Sequence, residues 1–287
     1  MSADARSDDG GGAGESARAS SAVVVDPDRP IVQGPRRGRE RTALWTVLVG
    51  IALPIFDRMA SIDVRHAERL PHEGSFVITP NHFSNIDPVV VGRVLWGCGR
   101  IPRFLAKESL FRVPVFGRLM RAMGHIPVDR SGRSHASDPL KTARLLTATG
   151  GGVIVYPEGT LTRDPDLWPM RGKSGAVRLA IEAGVPLIPM AHWGTQQLLP
   201  PYSSKISLFP RKKITAVIGD PVDLSAYRDR LHDQAAITEA TALVMQKITE
   251  LVEDLRDEKA PVERWNPKNL GAAAGSEATS DRGDTPA

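Results

Sequence analysis

The sequence predicts an α/β fold with a largely parallel central sheet flanked by helices. Between residue 63 and about residue 225, short apolar runs alternate with helix-like segments of about ten residues. This alternation is typical of βαβ units, in which a helix returns the chain to the start of the next parallel strand. The chain has 287 residues, of which 41% are hydrophobic, enough for one sizeable core.

Each predicted strand is a short apolar run, and these runs are 75–80, 101–106, 125–128, 152–157, 186–192 and 213–219. The helices predicted between them are 88–97, 114–123, 138–149 and 172–183. Apolar residues at helical spacing predict a last helix from Asp233 to about Glu258. In sheets of this kind, ligand sites gather at the carboxyl ends of the strands. Polar motifs that directly follow a strand are therefore the candidates for a functional site.

The two ends of the chain differ in composition from its middle. Residues 1–35 and 261–287 are rich in small and polar residues. Such segments bury too little apolar surface to offset the entropy lost on ordering, so both are predicted to be disordered tails. Residues 63–260 form the predicted globular domain, and residues 36–62 form a separate segment that precedes it.

Residues 36–62 carry a basic cluster followed by an apolar run from Ala43 to Phe56. A membrane-spanning helix needs about 20 apolar residues, so this run is short, and Pro54 interrupts it. We expect an interfacial helix whose basic end is attracted to anionic lipid headgroups, with Trp45 at the boundary. The alternative is a helix packed on the core of the domain itself.

Composition excludes several classes of protein. A net charge of +4, with no zinc-finger spacing and no helix-turn-helix pattern, gives little support to a nucleic-acid partner. The single cysteine, Cys98, excludes an intramolecular disulfide and fits a reducing compartment. No metal-binding pattern is present, and no metal site is predicted.

The stretch "TPNHFSNIDPVV" places His82 and Asp87 five positions apart, directly after a predicted strand. Asp87-Pro88 fits a helix start with Asp as N-cap, although Ser84 is a competing cap. Five positions along one helix would separate the two side chains by about 140°, whereas a turn can fold His82 back onto Asp87. A histidine oriented by a carboxylate can take a proton from an alcohol. From the spacing alone, a purely structural helix cap is the favoured alternative.

Two further polar segments follow predicted strands. "VYPEGTLTRD" places Glu158, Thr160 and Arg163 in one loop with Gly159, and such loops can hold a phosphate. A solvated turn is the alternative. Lys107 and Arg130 each come just after a predicted strand and could approach the same sheet edge, although ordinary surface charge would also explain them.

Four segments in the same order resemble the conserved blocks of glycerolipid acyltransferases of the lysophosphatidic acid acyltransferase type. "NHFSNIDP" is similar to the block N-H-x-S-x-x-D-P, and "AKESLFRVPVFGRLMRAMGHIPVDR" to K-x-E-L-x-x-x-P-x-x-G with a later Arg. "YPEGTLTRD" is similar to F-P-E-G-T-R-S, and "GVPLIPMAH" to V-P-I-x-P-V. The resemblance covers about residues 60–225. Four blocks in register are far more specific than any one of them, and they outweigh the structural alternatives.

The resemblance implies that His82 is the general base for the acceptor hydroxyl and that Asp87 orients it. The hydroxyl would attack the thioester of acyl-CoA or acyl carrier protein, which is the donor substrate, and no cofactor is implied. The positions implied for substrate binding are Asn81, Lys107, Arg130, Glu158, Gly159, Thr160, Arg163 and Lys173. The family also implies association with anionic lipids at the cytoplasmic face of the membrane, either peripheral or monotopic.

One departure leaves the acceptor open. The third block usually has Arg after Glu-Gly-Thr, but here that position is Leu161 and Arg163 comes two residues later. The leading hypothesis is acylation of lysophosphatidic acid to phosphatidic acid, with Arg163, Arg130 or Lys173 as the phosphate partner. The alternatives are O-acylation of a glycolipid or amino-lipid, or a catalytically silent protein that binds membrane lipids.

Overall fold

The computed structural model describes residues 43–128, 142, 146–147 and 150–265. Most of the predicted helix 138–149 lies outside these residues, as do Arg130, the N-terminal tail and residues 266–287. For Lys107 and Val128 the structure describes the backbone alone.

The strands within these residues form one sheet, in the order β1-β7-β6-β2-β5-β3-β4. They are β1 (Ala60–Arg65), β2 (Phe76–Pro80), β3 (Pro102–Lys107), β4 (Ile126–Val128), β5 (Gly152–Ile154), β6 (Leu187–Trp193) and β7 (Lys212–Ile218). Strand β7 runs antiparallel to β6 and parallel to β1, and every other neighbouring pair is parallel. The prediction of a largely parallel sheet flanked by helices is confirmed.

The helices are α1 (Ala43–Met59), α2 (Asp87–Gly97), α3 (Phe116–Ala122), α4 (Gly175–Ala183), the single turn α5 (Thr195–Leu198) and α6 (Gln234–Arg256). Helices α4 and α6 pack on one face of the sheet, against side chains such as Val77 and Val153. Helix α2 packs on the other face, where Val91 and Leu95 contact Ile78. The alternating faces of the buried strands therefore build a core on each side of the sheet.

The long C-terminal helix begins and ends close to its predicted bounds. Asp233 is its N-cap, and the carboxylate accepts hydrogen bonds from the backbone N–H groups of Ala235 and Ala236. These bonds satisfy donors that the first turn of a helix leaves without a partner. The buried residues Ile237, Val244 and Ile248 lie along the face that packs on the core, as the apolar spacing predicts.

Strand β1 is absent from the sequence prediction, which assigned residues 60–62 to the interfacial segment. The strand begins directly after α1 with no intervening turn, and it lies at the edge of the sheet. Only Ala60 is buried there, so "ASIDVR" lacks the apolar run that identifies an interior strand. Strand β5 also stops at Ile154 rather than at residue 157.

Helix α1 contacts the core with one face and is exposed on the other. Trp45 is buried, its ring lies 6.4 Å from that of Trp96, and its indole N–H donates to the carbonyl of Met123. The prediction that Trp45 lies at the membrane boundary is therefore wrong, because its side chain packs in the protein interior. Val47 and Ile51 on the outer face are 58% and 63% exposed. Among residues 43–265 that the structure describes, no helix is long and apolar enough to cross a membrane.

Candidate active site

The candidate site lies where three neighbouring strands end. Strand β2 lies between β5 and β6, and all three run parallel. The segments that leave their carboxyl ends therefore meet at one edge of the sheet. These segments are the turn 81–86, the loop 155–164 and the residues from 192 to 195.

The turn brings His82 onto Asp87, as the sequence analysis expected. The Nδ1 atom of His82 lies 3.0 Å from Oδ2 of Asp87. The carboxylate is fully buried, while the imidazole side chain is 16% exposed. The contact is possible because residues 82–86 form a turn, and α2 begins only at Asp87.

Asp87 does not cap helix α2 as predicted. Its Oδ2 atom accepts from the backbone N–H groups of Phe83 and Ser84, each at 2.8 Å, and therefore binds the turn that precedes the helix. Ile86 is at the N-cap position and makes no side-chain cap. The hydroxyl of Ser84 instead donates to the carbonyl of Leu199 at 2.6 Å. One carboxylate oxygen thus holds both the histidine and the turn.

The second oxygen of Asp87 meets two residues that the sequence analysis did not single out. The hydroxyl of Thr195 donates to Oδ1 at 2.7 Å. The Nε2 atom of His192 lies 3.8 Å from the same oxygen and 3.2 Å from the carbonyl oxygen of Asn81. Both residues lie at or just after the end of β6, at the edge where β2 ends. The sequence signal that could have pointed to them is their position at and just after the end of the predicted strand 186–192.

Burial opposes ionisation of Asp87, but His192, His82 and the backbone N–H of Ser84 outweigh it, and the pKa of the carboxyl is below its usual value. Burial also lowers the pKa of His192, so that ring is neutral at pH 7. Its proton lies on Nε2, because this atom faces the carbonyl of Asn81. Asp87 therefore carries the negative charge of the site.

An ionised Asp87 fixes the tautomer of His82. The Nδ1 atom that faces the carboxylate carries the proton, so Nε2 of the neutral ring has a free lone pair. No described residue hydrogen-bonds this Nε2 atom. The ring of Tyr156 stacks on the imidazole at 4.0 Å between centroids and holds it from one side. The arrangement can accept a proton from a hydroxyl group.

Glu158 is buried and bonds the backbone of the histidine turn. Its two oxygens accept from the backbone N–H groups of His82 at 3.2 Å and of Met170 at 3.0 Å. Burial raises its pKa to about 8. The N–H of Thr162 in turn donates to the carbonyl of His82 at 2.7 Å. The loop therefore forms hydrogen bonds with both the N–H and the carbonyl group of His82. The resemblance assigned Glu158 to acceptor binding, but both of its carboxyl oxygens accept hydrogen bonds from the protein backbone.

Asn81 is likewise occupied by the protein. Its amide donates to the carbonyl of His192 and accepts from the N–H of the same residue. The side chain is 1% exposed and joins the ends of β2 and β6. An amide side chain suits this position, because it supplies both the donor and the acceptor that the backbone of His192 requires. The contacts seen in the structure give Asn81 a scaffold role, and its predicted role in substrate binding stays a prediction.

Four more predicted binding residues lie in the segment between β5 and α4. Gly159 has φ +72°, and a Cβ there would lie 2.9 Å from the Nζ atom of Lys173, so the lysine runs across the glycine. Thr160, Arg163 and Lys173 are exposed, whereas Leu161 is buried. The loop therefore presents two cations beside the histidine turn, although the position of the usual arginine points into the core.

Of the two basic residues predicted from the second block, only the backbone of Lys107 is described, and it lies on the far side of β5 from the histidine turn. Lys107 ends β3, so its backbone lies at the same carboxyl edge as the histidine turn, two strands away. Its side chain and the whole of Arg130 lie outside the part of the chain that the structure describes. Their predicted role in binding an anionic substrate stays a prediction.

Comparison with known proteins identifies the family. The family model described as Acyltransferase matches residues 61–193, which include the histidine turn, the Glu158 loop and His192. The chain is 30% identical over 216 residues to a 1-acyl-sn-glycerol-3-phosphate acyltransferase of Haemophilus influenzae, covering 72% of this chain and 84% of that protein. It is 33% identical over 145 residues to the chloroplastic 1-acyl-sn-glycerol-3-phosphate acyltransferase BAT2 of Brassica napus, covering 50% of this chain and 40% of that one.

A solved structure shares the fold. The 1-acyl-sn-glycerophosphate (LPA) acyltransferase PlsC from Thermotoga maritima matches with a TM-score of 0.56 and 24% identity, covering 79% of this chain and 86% of that one. The range matched by the family model includes the strands β2, β5 and β6 that build the site as well as the site itself. The chain therefore belongs to the acyltransferase family, and within it to the 1-acyl-sn-glycerol-3-phosphate acyltransferase type.

Proposed function

We propose that this enzyme transfers a fatty acyl group from acyl-CoA or acyl carrier protein to a lysophospholipid hydroxyl, converting lysophosphatidic acid to phosphatidic acid. The observation that carries the proposal is the 3.0 Å contact between His82 Nδ1 and the buried, ionised Asp87. This contact leaves Nε2 of His82 as the atom of the pair that is free to take a proton from a bound hydroxyl. The names of the relatives support the choice of acceptor.

In the proposed reaction, Nε2 of His82 takes the proton of the acceptor hydroxyl as the oxygen attacks the thioester carbonyl carbon. Asp87 stabilises the imidazolium that forms. The tetrahedral intermediate collapses with cleavage of the carbon–sulfur bond, and the imidazolium returns its proton to the leaving thiolate. The products are the new ester and the free thiol. The acyl donor is a substrate, and the steps use no further cofactor.

The acceptor phosphate would bind the exposed cations of the loop that follows β5. Arg163 and Lys173 are exposed there, and the same loop is bonded to the backbone of His82. A guanidinium and an ammonium group both bind phosphate oxygens by charge-assisted hydrogen bonds. A phosphate held by these residues would place the neighbouring glycerol hydroxyl close to the histidine.

One observation favours a second acceptor class. Leu161 is buried at the position where the resembling block has arginine, so this chain lacks a cation at that point. A glycolipid or amino-lipid hydroxyl would not need that cation. The chemistry at His82 would be the same for either acceptor.

We further propose that the enzyme works as a peripheral or monotopic protein at the cytoplasmic face of the membrane, in contact with anionic lipids. The exposed apolar face of α1, formed by Val47, Ile51 and Ile55, supports a position in the interface. A lysophospholipid with a long acyl chain resides in the bilayer, so an enzyme that uses it must reach the bilayer surface.

The test crosses acyl-CoA and acyl carrier protein donors with a panel of lipid acceptors. Turnover with lysophosphatidic acid, and a fall of about 10³-fold in His82→Ala, is the expected result. His72→Ala is the matched control, because His72 is exposed and precedes β2, whereas the histidine turn follows the other end of that strand. Near-normal turnover in His82→Ala would exclude the mechanism. Good turnover with a glycolipid and none with lysophosphatidic acid would select the second acceptor class.

A further inference from the structure

The loop that joins α5 to β7 exposes an unusual group of apolar side chains. We call residues 202–211 the apolar-basic loop. Ile206 is 51% exposed, Leu208 is 43% exposed and Phe209 is 80% exposed. Single exposed apolar residues are common at protein surfaces, but a cluster of them marks an interaction site.

The charges around this cluster have a single sign. Lys205 and Arg211 lie in the loop, Lys213 follows it, and all three are exposed. No aspartate or glutamate occurs in the sequence between Glu182 and Asp220. Apolar side chains flanked by cations fit an anionic lipid surface, where the cations meet headgroups and the apolar groups enter the acyl boundary.

The apolar-basic loop ends against helix α1. Arg211 donates to the carbonyl of Ala60 at 3.5 Å, and Ala60 pairs with Lys212 in the sheet. Ala60 directly follows α1, whose outer face is the other exposed apolar surface of the region. Phe56 on the inner face of α1 packs in one cluster with Leu198, which ends α5 just before the loop. The loop and α1 are therefore neighbours.

The apolar-basic loop is linked to the histidine turn through the loop 155–164. The hydroxyl of Tyr202 donates to the carbonyls of Leu161 and Thr162, each at 3.1 Å. The N–H of Thr162 bonds the carbonyl of His82. On the other side of the turn, Ser84 bonds the carbonyl of Leu199. A surface that binds the apolar-basic loop would therefore also fix the position of His82.

We infer that the apolar-basic loop is a second membrane contact, separate from α1. The loop binds an anionic bilayer and thereby holds the His82 turn at the lipid surface. The inference rests on the proposed function in one respect, namely that the acceptor is drawn from a membrane. The position of the loop next to α1, which also exposes apolar side chains, favours a lipid surface over a protein partner. An acidic acyl carrier protein is the competing occupant, and the test includes it.

The test measures binding of the full chain to phosphatidylglycerol–phosphatidylcholine vesicles and to pure phosphatidylcholine vesicles by co-sedimentation. Phe209→Asp is expected to weaken binding to the anionic vesicles about 10-fold, because it removes one large apolar group from the interface. Arg211→Glu is expected to weaken binding to the anionic vesicles only. Val262→Asp is the matched control, since Val262 is fully exposed in the C-terminal segment outside the loop.

Two outcomes would overturn the inference. Wild-type vesicle binding in Phe209→Asp, beside a loss in Ile51→Asp, would assign the membrane contact to α1 alone. Unchanged vesicle binding together with weaker binding of acyl carrier protein would assign the loop to a protein partner.

Turnover with a soluble short-chain acceptor should stay within about twofold in Phe209→Asp, because the residue touches no catalytic group. A chain with no turnover on any acceptor would refute the proposed function, while vesicle binding would still test the loop.

Discussion

Two buried carboxyl groups flank His82, and they differ in charge. Asp87 accepts from two backbone N–H groups, and so does Glu158. Both side chains are almost fully buried. Burial nevertheless raises the pKa of Glu158 to about 8, whereas the pKa of Asp87 is below its usual value. The difference lies in their other neighbours, because only Asp87 also meets Thr195 and two histidines.

The comparison separates the catalytic role that we propose for Asp87 from a scaffolding role of Glu158 in the same site. A buried carboxylate stays ionised only where enough donors replace the water it has lost. Asp87 has these donors and can stabilise a charged His82. Glu158 lacks them, is mostly protonated at pH 7, and bonds the backbone on which His82 sits. Both residues stand in the blocks that carry the family resemblance, yet the contacts assign them different work.

Asp87→Asn should produce the largest effect of the four substitutions that probe this comparison. The amide cannot balance an imidazolium, and its NH₂ group cannot accept the bonds that the carboxylate accepts now. We expect kcat to fall about 10³-fold. Steady-state kinetics measure this fall in kcat, and Asp229→Asn, which changes an exposed aspartate, is the control. A loss of less than about tenfold would mean that His82 does not depend on the charge of Asp87.

The sequence could predict this pair because its members are local. Asp87 follows His82 by five residues, and one turn brings them together. Thr195 lies 108 residues from Asp87, so its contact depends on β6 being next to β2. The spacing of apolar residues identifies strands, but it does not give their order in the sheet. The same limit explains Glu158, which the sequence places in a polar loop without showing that its partners are backbone groups of His82 and Met170.

Thr195→Val should reduce turnover by about 10-fold to 100-fold, because it leaves Oδ1 of Asp87 buried without its hydroxyl donor. The pKa of Asp87 should rise, so the acid limb of the pH–rate profile should move to higher pH. Thr195→Ser restores the hydroxyl and should recover most of the activity and the original profile. A variant that loses stability but keeps the wild-type pH profile would give Thr195 a purely structural role.

Glu158→Gln should change stability more than turnover. The folded pKa is about 8 and the ordinary value is 4.5, so native Glu158 holds a proton that the unfolded chain has released between these values. Its contribution to the free energy of unfolding is therefore greatest below about pH 4.5 and declines as the pH rises to about 8. Glutamine does not titrate, but its NH₂ group replaces one acceptor oxygen.

We therefore expect Glu158→Gln to be less stable than wild type by about 1 kcal/mol near pH 5, with the gap closing or reversing near pH 8. Denaturant unfolding at the two pH values measures this change, and kcat should stay within about tenfold of wild type. An unchanged gap across the range would show that Glu158 does not titrate there. A large rise in KM for the acceptor at unchanged stability would instead place Glu158 in the binding site.

Tyr156→Phe should produce the smallest effect. The phenol ring stacks on His82, and its hydroxyl oxygen is buried with no hydrogen-bond partner among the described residues. Burial raises the pKa of Tyr156 well above its usual value, so the hydroxyl keeps its proton and cannot serve as a base.

Phenylalanine keeps the stacked ring and removes a buried polar group that is left unsatisfied. We expect kcat within about twofold of wild type and a gain of about 1 kcal/mol in the free energy of unfolding. Tyr156→Ala, which also removes the ring, should lower kcat by about tenfold because His82 loses the surface that holds it. A large fall in kcat for Tyr156→Phe would instead show that the hydroxyl contacts the substrate.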